Sequence, residues 1–273
     1  MIKSFRIFES NLEIRRVCKD LGISNFQIVD GLVNVDGGVD ISDRELTKIP
    51  IKFGRVEGNF YCYGNQLTKL EGSPQSVGGD FSCAQSQLTS LQGAPKSVGG
   101  NFWCSNNQLT TLEGAPKSVG RDFNCSNNQL TSLEGAPRGV GGNFNCINNQ
   151  LTTLEGAPTS VSGNFHCNYN QLNTLEGSPT SVGGNFDCSN NRLSTFRGIP
   201  EYSLNEEKSF YCEGNKIHEI YRLFRNSKCI DLINEYEVIG DGQISRVKLE
   251  EVFLELGLEV PKKFNFQHYK LIG

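Results

Sequence analysis

The chain has 273 residues and a formal net charge of −4, from 26 Lys/Arg against 30 Asp/Glu. That balance gives no electrostatic drive toward nucleic acid or an anionic membrane, and no apolar run approaches the roughly 18–20 residues of a membrane-crossing helix. Ten cysteines suggest metal or disulfide chemistry, but only three histidines accompany them and no C-x-x-C occurs, so no zinc site and no cofactor are expected.

In chain order, residues 1–38 read as an N-terminal cap. The first ten residues lack the long apolar core of a secretory signal. Ser10 and Glu13 have the spacing of a capping box that opens a helix. Ile14, Val17, Cys18 and Leu21 follow at helical spacing, and Gly22 closes the helix. Phe26 to Val35 alternates as strands do. A degenerate repeat then begins at Val39, Ile41, Leu46 and Ile49.

From residue 39 to 220 the chain repeats itself. Cys62, Cys83, Cys104, Cys125, Cys146, Cys167 and Cys188 recur every 21 residues, and Cys212 follows after 24. A fixed period of this size specifies a solenoid, in which each unit stacks on its neighbours. Phenylalanine stands two residues before each cysteine, as in Phe102 and Phe123, so both side chains fall on one face of a short strand. Leucine, leucine and valine hold three further columns, as in Leu109, Leu112 and Val119. Asparagine stands three after the cysteine, except at Ser86, and its amide suits a buried bend. Glycine and proline mark the outer leg (Gly114, Pro116), which predicts extended or polyproline-like backbone there. Stacked cysteines would lie about 4.8 Å apart. Bridging them would strain the stack, so free buried thiols and a reducing compartment are expected.

The run F-x-C-x-x-N-x-L-x-x-L over residues 102–112 resembles the leucine-rich repeat consensus, with Phe and Cys in two leucine places. The resemblance covers about residues 39–220. The short unit and Gly-Ala-Pro leg look like the bacterial and bacteriophage type. It implies a solenoid with an inner parallel β-sheet of about nine coils, extended outer legs, and helical N- and C-terminal caps. It also implies a non-enzymatic module that binds a protein partner on its concave face; a monomer is expected, and a cytoplasmic one from the free thiols. A bacterial or phage factor directed at a host protein fits this picture.

Residues 221–273 read as a C-terminal helical cap, with helices at 221–224, 230–236 and 247–256. Asp241, Gly242, Gln243 and Ile244 resemble the middle of a calcium-binding loop. That alignment places Ile239 and Lys248 at ligand positions, where neither supplies the oxygen required. Cys229 and Asp231 match a Cys-x-Asp pattern of bacterial leucine-rich-repeat ubiquitin ligases, which makes a ligase-like effector a remote alternative. Residues 1–9, ending Ile7, Phe8, Glu9, are similar to cleaved head-targeting peptides of tailed phages. They point to a virion-associated protein, and the Asn- and aromatic-rich sheet to a glycan-binding adhesive one, as another alternative.

Binding is expected beside the packing columns, where side chains vary without disturbing the core. There Tyr61, Tyr63 and Trp103 gather near the N-terminal end, and His166, Tyr169 and Tyr211 lie farther along. Exposed Tyr and Trp commonly anchor protein interfaces. No catalytic or metal-binding set is expected.

Overall fold

The computed structural model describes residues 2–199, 210–224 and 228–273, with side chains from residue 10 onward apart from Lys228. Helix α1 spans Ile2–Asp20. It therefore starts well before the expected capping box, and Ser10 sits mid-helix. Residues 2–9 contain neither Pro nor Gly, so nothing stops the helix from extending backward through them. Its end matches expectation. Gly22 is left-handed (φ +73°), its N–H donates to Lys19 O, and the Ile23 N–H donates to Cys18 O, a Schellman closure.

Strands β1 (Phe26–Val29) and β2 (Leu32–Val35) form an antiparallel hairpin. Asp30 and Gly31, both at positive φ, make its two-residue turn. Strand β2 then pairs in parallel with Phe53–Val56, which starts the coil stack.

The solenoid has two nine-stranded sheets. The inner one runs from Val39–Asp40 to Phe210–Tyr211 and is built from the Phe-x-Cys step, each residue opposite its equivalent one repeat away, as Phe102 opposite Phe123. The outer one continues the N-terminal hairpin through two-residue strands such as Ser118–Val119 and Gly139–Val140. The outer legs are extended, as the sequence predicts, and they also pair into a sheet. Each of the six repeat prolines from Pro74 to Pro179 stands two residues before its strand, as Pro116 before Ser118, so its missing N–H removes no bond from the ladder.

Between the sheets the columns become continuous ridges. Phe102 lies between Phe81 and Phe123 with centroids 5.1 and 5.2 Å apart, and the Phe102 and Phe123 rings are 8° from coplanar. The column cysteines and leucines are fully buried beside them. All ten cysteines are free and buried. Cys104 and Cys146 donate S–H to the Asn124 and His166 carbonyls of the next coil, at 3.4 and 3.3 Å.

The asparagine column closes each bend. Asn128 donates from Nδ2 to Cys104 O and Cys125 O, at 3.1 and 3.0 Å, while its Oδ1 accepts the Leu109 N–H at 3.0 Å. One side chain thus serves two coils. Ser86 is too short for this role, and its buried hydroxyl has no hydrogen-bond partner.

Helices α2 (His218–Phe224), α3 (Lys228–Glu235) and α4 (Arg246–Glu255) follow the last coil. They are joined by a three-stranded sheet, which the expected helical cap did not include. In it, Gln243–Ser245 pairs antiparallel with Ile239–Gly240 and parallel with Lys270–Ile272. Asp241 and Gly242, at φ +49° and +71°, form the hairpin turn, and the calcium-loop likeness is this turn. The C-terminal unit packs on the solenoid: Tyr269 Oη donates to Ser194 O at 3.0 Å, and Asn234 Nδ2 to Phe196 O at 3.2 Å.

Candidate binding face and its neighbours

Strand pairing places Asp40, Tyr61, Ser82, Trp103, Asn124, Asn145, His166, Asp187 and Tyr211 in one register on the open side of the inner sheet. At about 4.8 Å per coil, Tyr61 and Trp103 stand roughly 10 Å apart with Ser82 between them. Ser82 is only 4% exposed although it faces outward, as expected for a small residue between two large ones. The Tyr61 and Tyr63 rings lie 6.2 Å apart. Tyr61 Oη accepts from Asn59 Nδ2 at 2.8 Å. Burial pushes the Tyr61 phenol pKa up, and the charges of Asp80 and Asp40 push it further. Its hydroxyl therefore stays protonated and is engaged by the Asp80 carboxylate, which leaves chiefly the ring to meet a partner.

Much of the column's polar chemistry is already committed. Asn124 Oδ1 accepts the Ser126 N–H at 2.9 Å, Asn145 Oδ1 accepts the Ile147 N–H at 3.0 Å, and Asp187 Oδ1 accepts both the N–H and Oγ–H of Ser189. These local turns hold the strand ends. What remains for a partner is chiefly aromatic.

Of the six candidate residues, Tyr61, Tyr63 and Trp103 share one neighbourhood. His166 lies three coils beyond Trp103, and Tyr211 two coils beyond His166. Tyr169 is not on the strand face. It occupies the left-handed bend (φ +56°) in the column of Gln85, Asn106, Asn127, Asn148 and Asn190, with 57% of its surface exposed. In this column Asn148 Nδ2 donates to Asn127 Oδ1 at 2.7 Å, so Tyr169 interrupts an exposed amide ladder.

Cys229 is fully buried, and burial together with the Asp231 charge pushes its thiol pKa up to about 12. A nucleophilic cysteine needs the opposite, an accessible thiol with a depressed pKa. Among the described residues no cluster of His, Cys, Asp and Glu could hold a metal ion, and no helix is long and apolar enough to cross a membrane. The backbone of residues 2–9 belongs to α1, but the side chains of the head-targeting likeness lie outside the described residues.

A second concavity, of about 640 Å³, was not anticipated. It lies where the last two coils meet α2 and the C-terminal segment, and Arg192, Lys216, His218, Arg222 and His268 line it. The sequence carried a signal for it. The fourth residue after each cysteine is glutamine in six coils, Gln66 through Gln171, and then becomes Arg192 and Lys216.

Inner strand, asparagine bend and Leu-x-x-Leu step together give each coil the leucine-rich-repeat form, on a short 21-residue unit. No protein-family model matches the chain, and no curated protein does. Among solved structures it is similar to YopM from Yersinia enterocolitica WA-314, with 15% identity and a TM-score of 0.39 over 66% of this chain and 51% of that one. The chain thus spans about half the length of that protein.

Proposed function

We propose that the chain is a non-enzymatic interaction module that binds a protein partner on the open face of its inner sheet, with Tyr61, Tyr63 and Trp103 as anchors. One observation carries this reading: on a face whose asparagines and aspartates are largely spent on local turns, three neighbouring large aromatics remain half-exposed over a core that does not need them. Tyr and Trp bury large area at low entropy cost, which is why they dominate interface energetics. The flanking carboxylates of Asp40 and Asp80 favour a partner patch that is neutral or basic.

The test is a quantitative capture from cell extract, with wild type and the Tyr61→Ala/Tyr63→Ala/Trp103→Ala variant immobilised side by side. At least one protein should be retained by the wild type and lost at least tenfold by the variant, while both unfold at the same temperature. Identical retained sets would remove the aromatic cluster from the function. Trp103 is the chain's single tryptophan, so its emission reports occupancy of this face without a label.

A further inference from the structure

The second concavity differs from the sheet face in position and in chemistry. Its floor continues the exposed column that follows the asparagine bend. Through six coils this column is Gln66, Gln87, Gln108, Gln129, Gln150 and Gln171, and in the last two it is Arg192 and Lys216. Packing does not demand the change. The Arg192 N–H donates to Leu172 O at 2.9 Å, the same bond and length that Gln171 makes to Leu151 O, and both new side chains are exposed. A second column changes with it. Thr68, Thr89, Thr110, Thr131 and Thr152 give way to Asn173, Ser194 and His218, all of which line the cavity. The repeat therefore supplies its own baseline, and it departs from it on both columns at one place.

Arg222 of α2 completes the charge. None of Arg192, Lys216 and Arg222 forms a salt bridge with a carboxylate among the described residues. The one carboxylate in the lining, Glu219, is occupied. Its Oε2 accepts the N–H groups of Gln267 and His268, at 3.0 and 3.3 Å, and its Oε1 meets His268 Nδ1. Glu219 thereby ties the C-terminal segment down as a wall and leaves the three cations without a carboxylate partner among the described residues, in a chain whose overall charge is negative.

We propose that this cavity binds a small phosphate-bearing molecule, with Arg192, Lys216 and Arg222 on the phosphate oxygens. Three cations suit a doubly charged oxyanion better than a single carboxylate. Arginine's fork matches phosphate oxygens in pairs, and lysine adds a point charge. A volume of about 640 Å³ falls in the range of small-ligand and cofactor pockets. His218 and Asn173 stand in the same lining to contact the remainder of such a ligand.

The experiment is isothermal titration of the full chain with pyrophosphate and with ADP at low ionic strength, with citrate as a carboxylate control. The comparison protein is Arg192→Gln/Lys216→Gln, which restores the residue the repeat itself uses and so keeps the fold. A wild type that binds a phosphate probe at least tenfold more tightly than citrate, with at least a tenfold loss in the reverted protein at unchanged melting temperature, supports the site. Absence of binding by both phosphate probes, equal binding of citrate, or equal binding by the reverted protein overturns it. The aromatic triple variant should titrate as wild type, so this site and the sheet face succeed or fail separately.

Discussion

At the residue scale, the columns show which side chains serve the stack and which are free of it. The asparagine column is the sharpest case, because it contains its own natural defect. Asn65 and Asn107, on either side of Ser86, each donate to three backbone carbonyls: Ile41, Cys62 and Tyr63 for Asn65, and Cys83, Cys104 and Ser105 for Asn107. The Ser86 hydroxyl is buried without a partner, a configuration that costs free energy. Ser86→Asn should therefore stabilise the chain by about 1 kcal/mol, seen as a higher urea midpoint at unchanged slope. A lower midpoint would mean that the bend at Ser86 has closed around the smaller residue. The same accounting sets Asn124, Asn145 and Asp187 apart from the residues free to meet a partner. Each resembles a ligand group in sequence, yet its oxygen is held by a backbone N–H two residues on, a bond that depends on local backbone geometry and leaves no mark in composition.

At the element scale, one coil is a short inner strand, an asparagine bend, a leucine step, a glycine corner and a short outer strand. The corner is the least forgiving part. Gly114 sits at φ +93°, and a Cβ there would lie 2.5 Å from the Leu91 carbonyl group. Both the conformation and the close approach exclude a side chain. Gly114→Ala should cost about 2 kcal/mol or more, measured by chemical unfolding. Near-wild-type stability would mean that successive coils lie farther apart at this corner. The inner strands, their register and the buried columns were legible because period two and period 21 both act on the same few residues. The outer sheet was not, because proline's veto on pairing applies only at the residue that carries it, and here the paired residues lie two positions later. Helix α1 was legible at its end, where Gly22 leaves one solution, and not at its start, where eight helix-compatible residues precede the apparent cap. In the C-terminal unit the Asp241-Gly242 pair carried the hairpin signal, and its likeness to a metal loop obscured it. The Lys270–Ile272 strand depends on a partner far away in sequence and has no local signature.

At the scale of the whole molecule, the cysteine ladder governs how the chain responds to pH. Burial pushes every ladder thiol upward, Cys212 to about 12 from 9.0 and Cys104, Cys146 and Cys188 well above 9.0. Near pH 9 and above, unfolded chains lose these protons while the folded chain keeps them. The folded state then binds more protons, so stability is fully present below about pH 9 and falls as pH rises. Each thiol contributes a slope of up to about 1.4 kcal/mol per pH unit, and several ionise together. Urea midpoints under reductant should hold from pH 7 to 8 and drop steeply from 9 to 10; a flat profile would place the thiols in water. The two proposed binding regions stand outside this ladder. The aromatic cluster was legible because Tyr61, Tyr63 and Trp103 interrupt small and amide residues. The cationic cavity was half legible, since Arg192 and Lys216 break a glutamine column, while Arg222 and the wall made by residues 267–268 reach it only through the packing of the C-terminal unit. Both regions rest on one assignment of inside and outside. A strand alternates sides, so if the Phe-x-Cys pairs faced solvent, Tyr61 and Trp103 would be core and the binding face would vanish. Alkylation of the native chain by a maleimide at pH 7, followed by intact-mass measurement, decides this directly. None of the ten cysteines should react on a timescale faster than unfolding, and all ten should react in denaturant. Rapid native labelling of the ladder cysteines, or a mass deficit of two per bridged pair, would contradict the architecture and the binding face drawn from it.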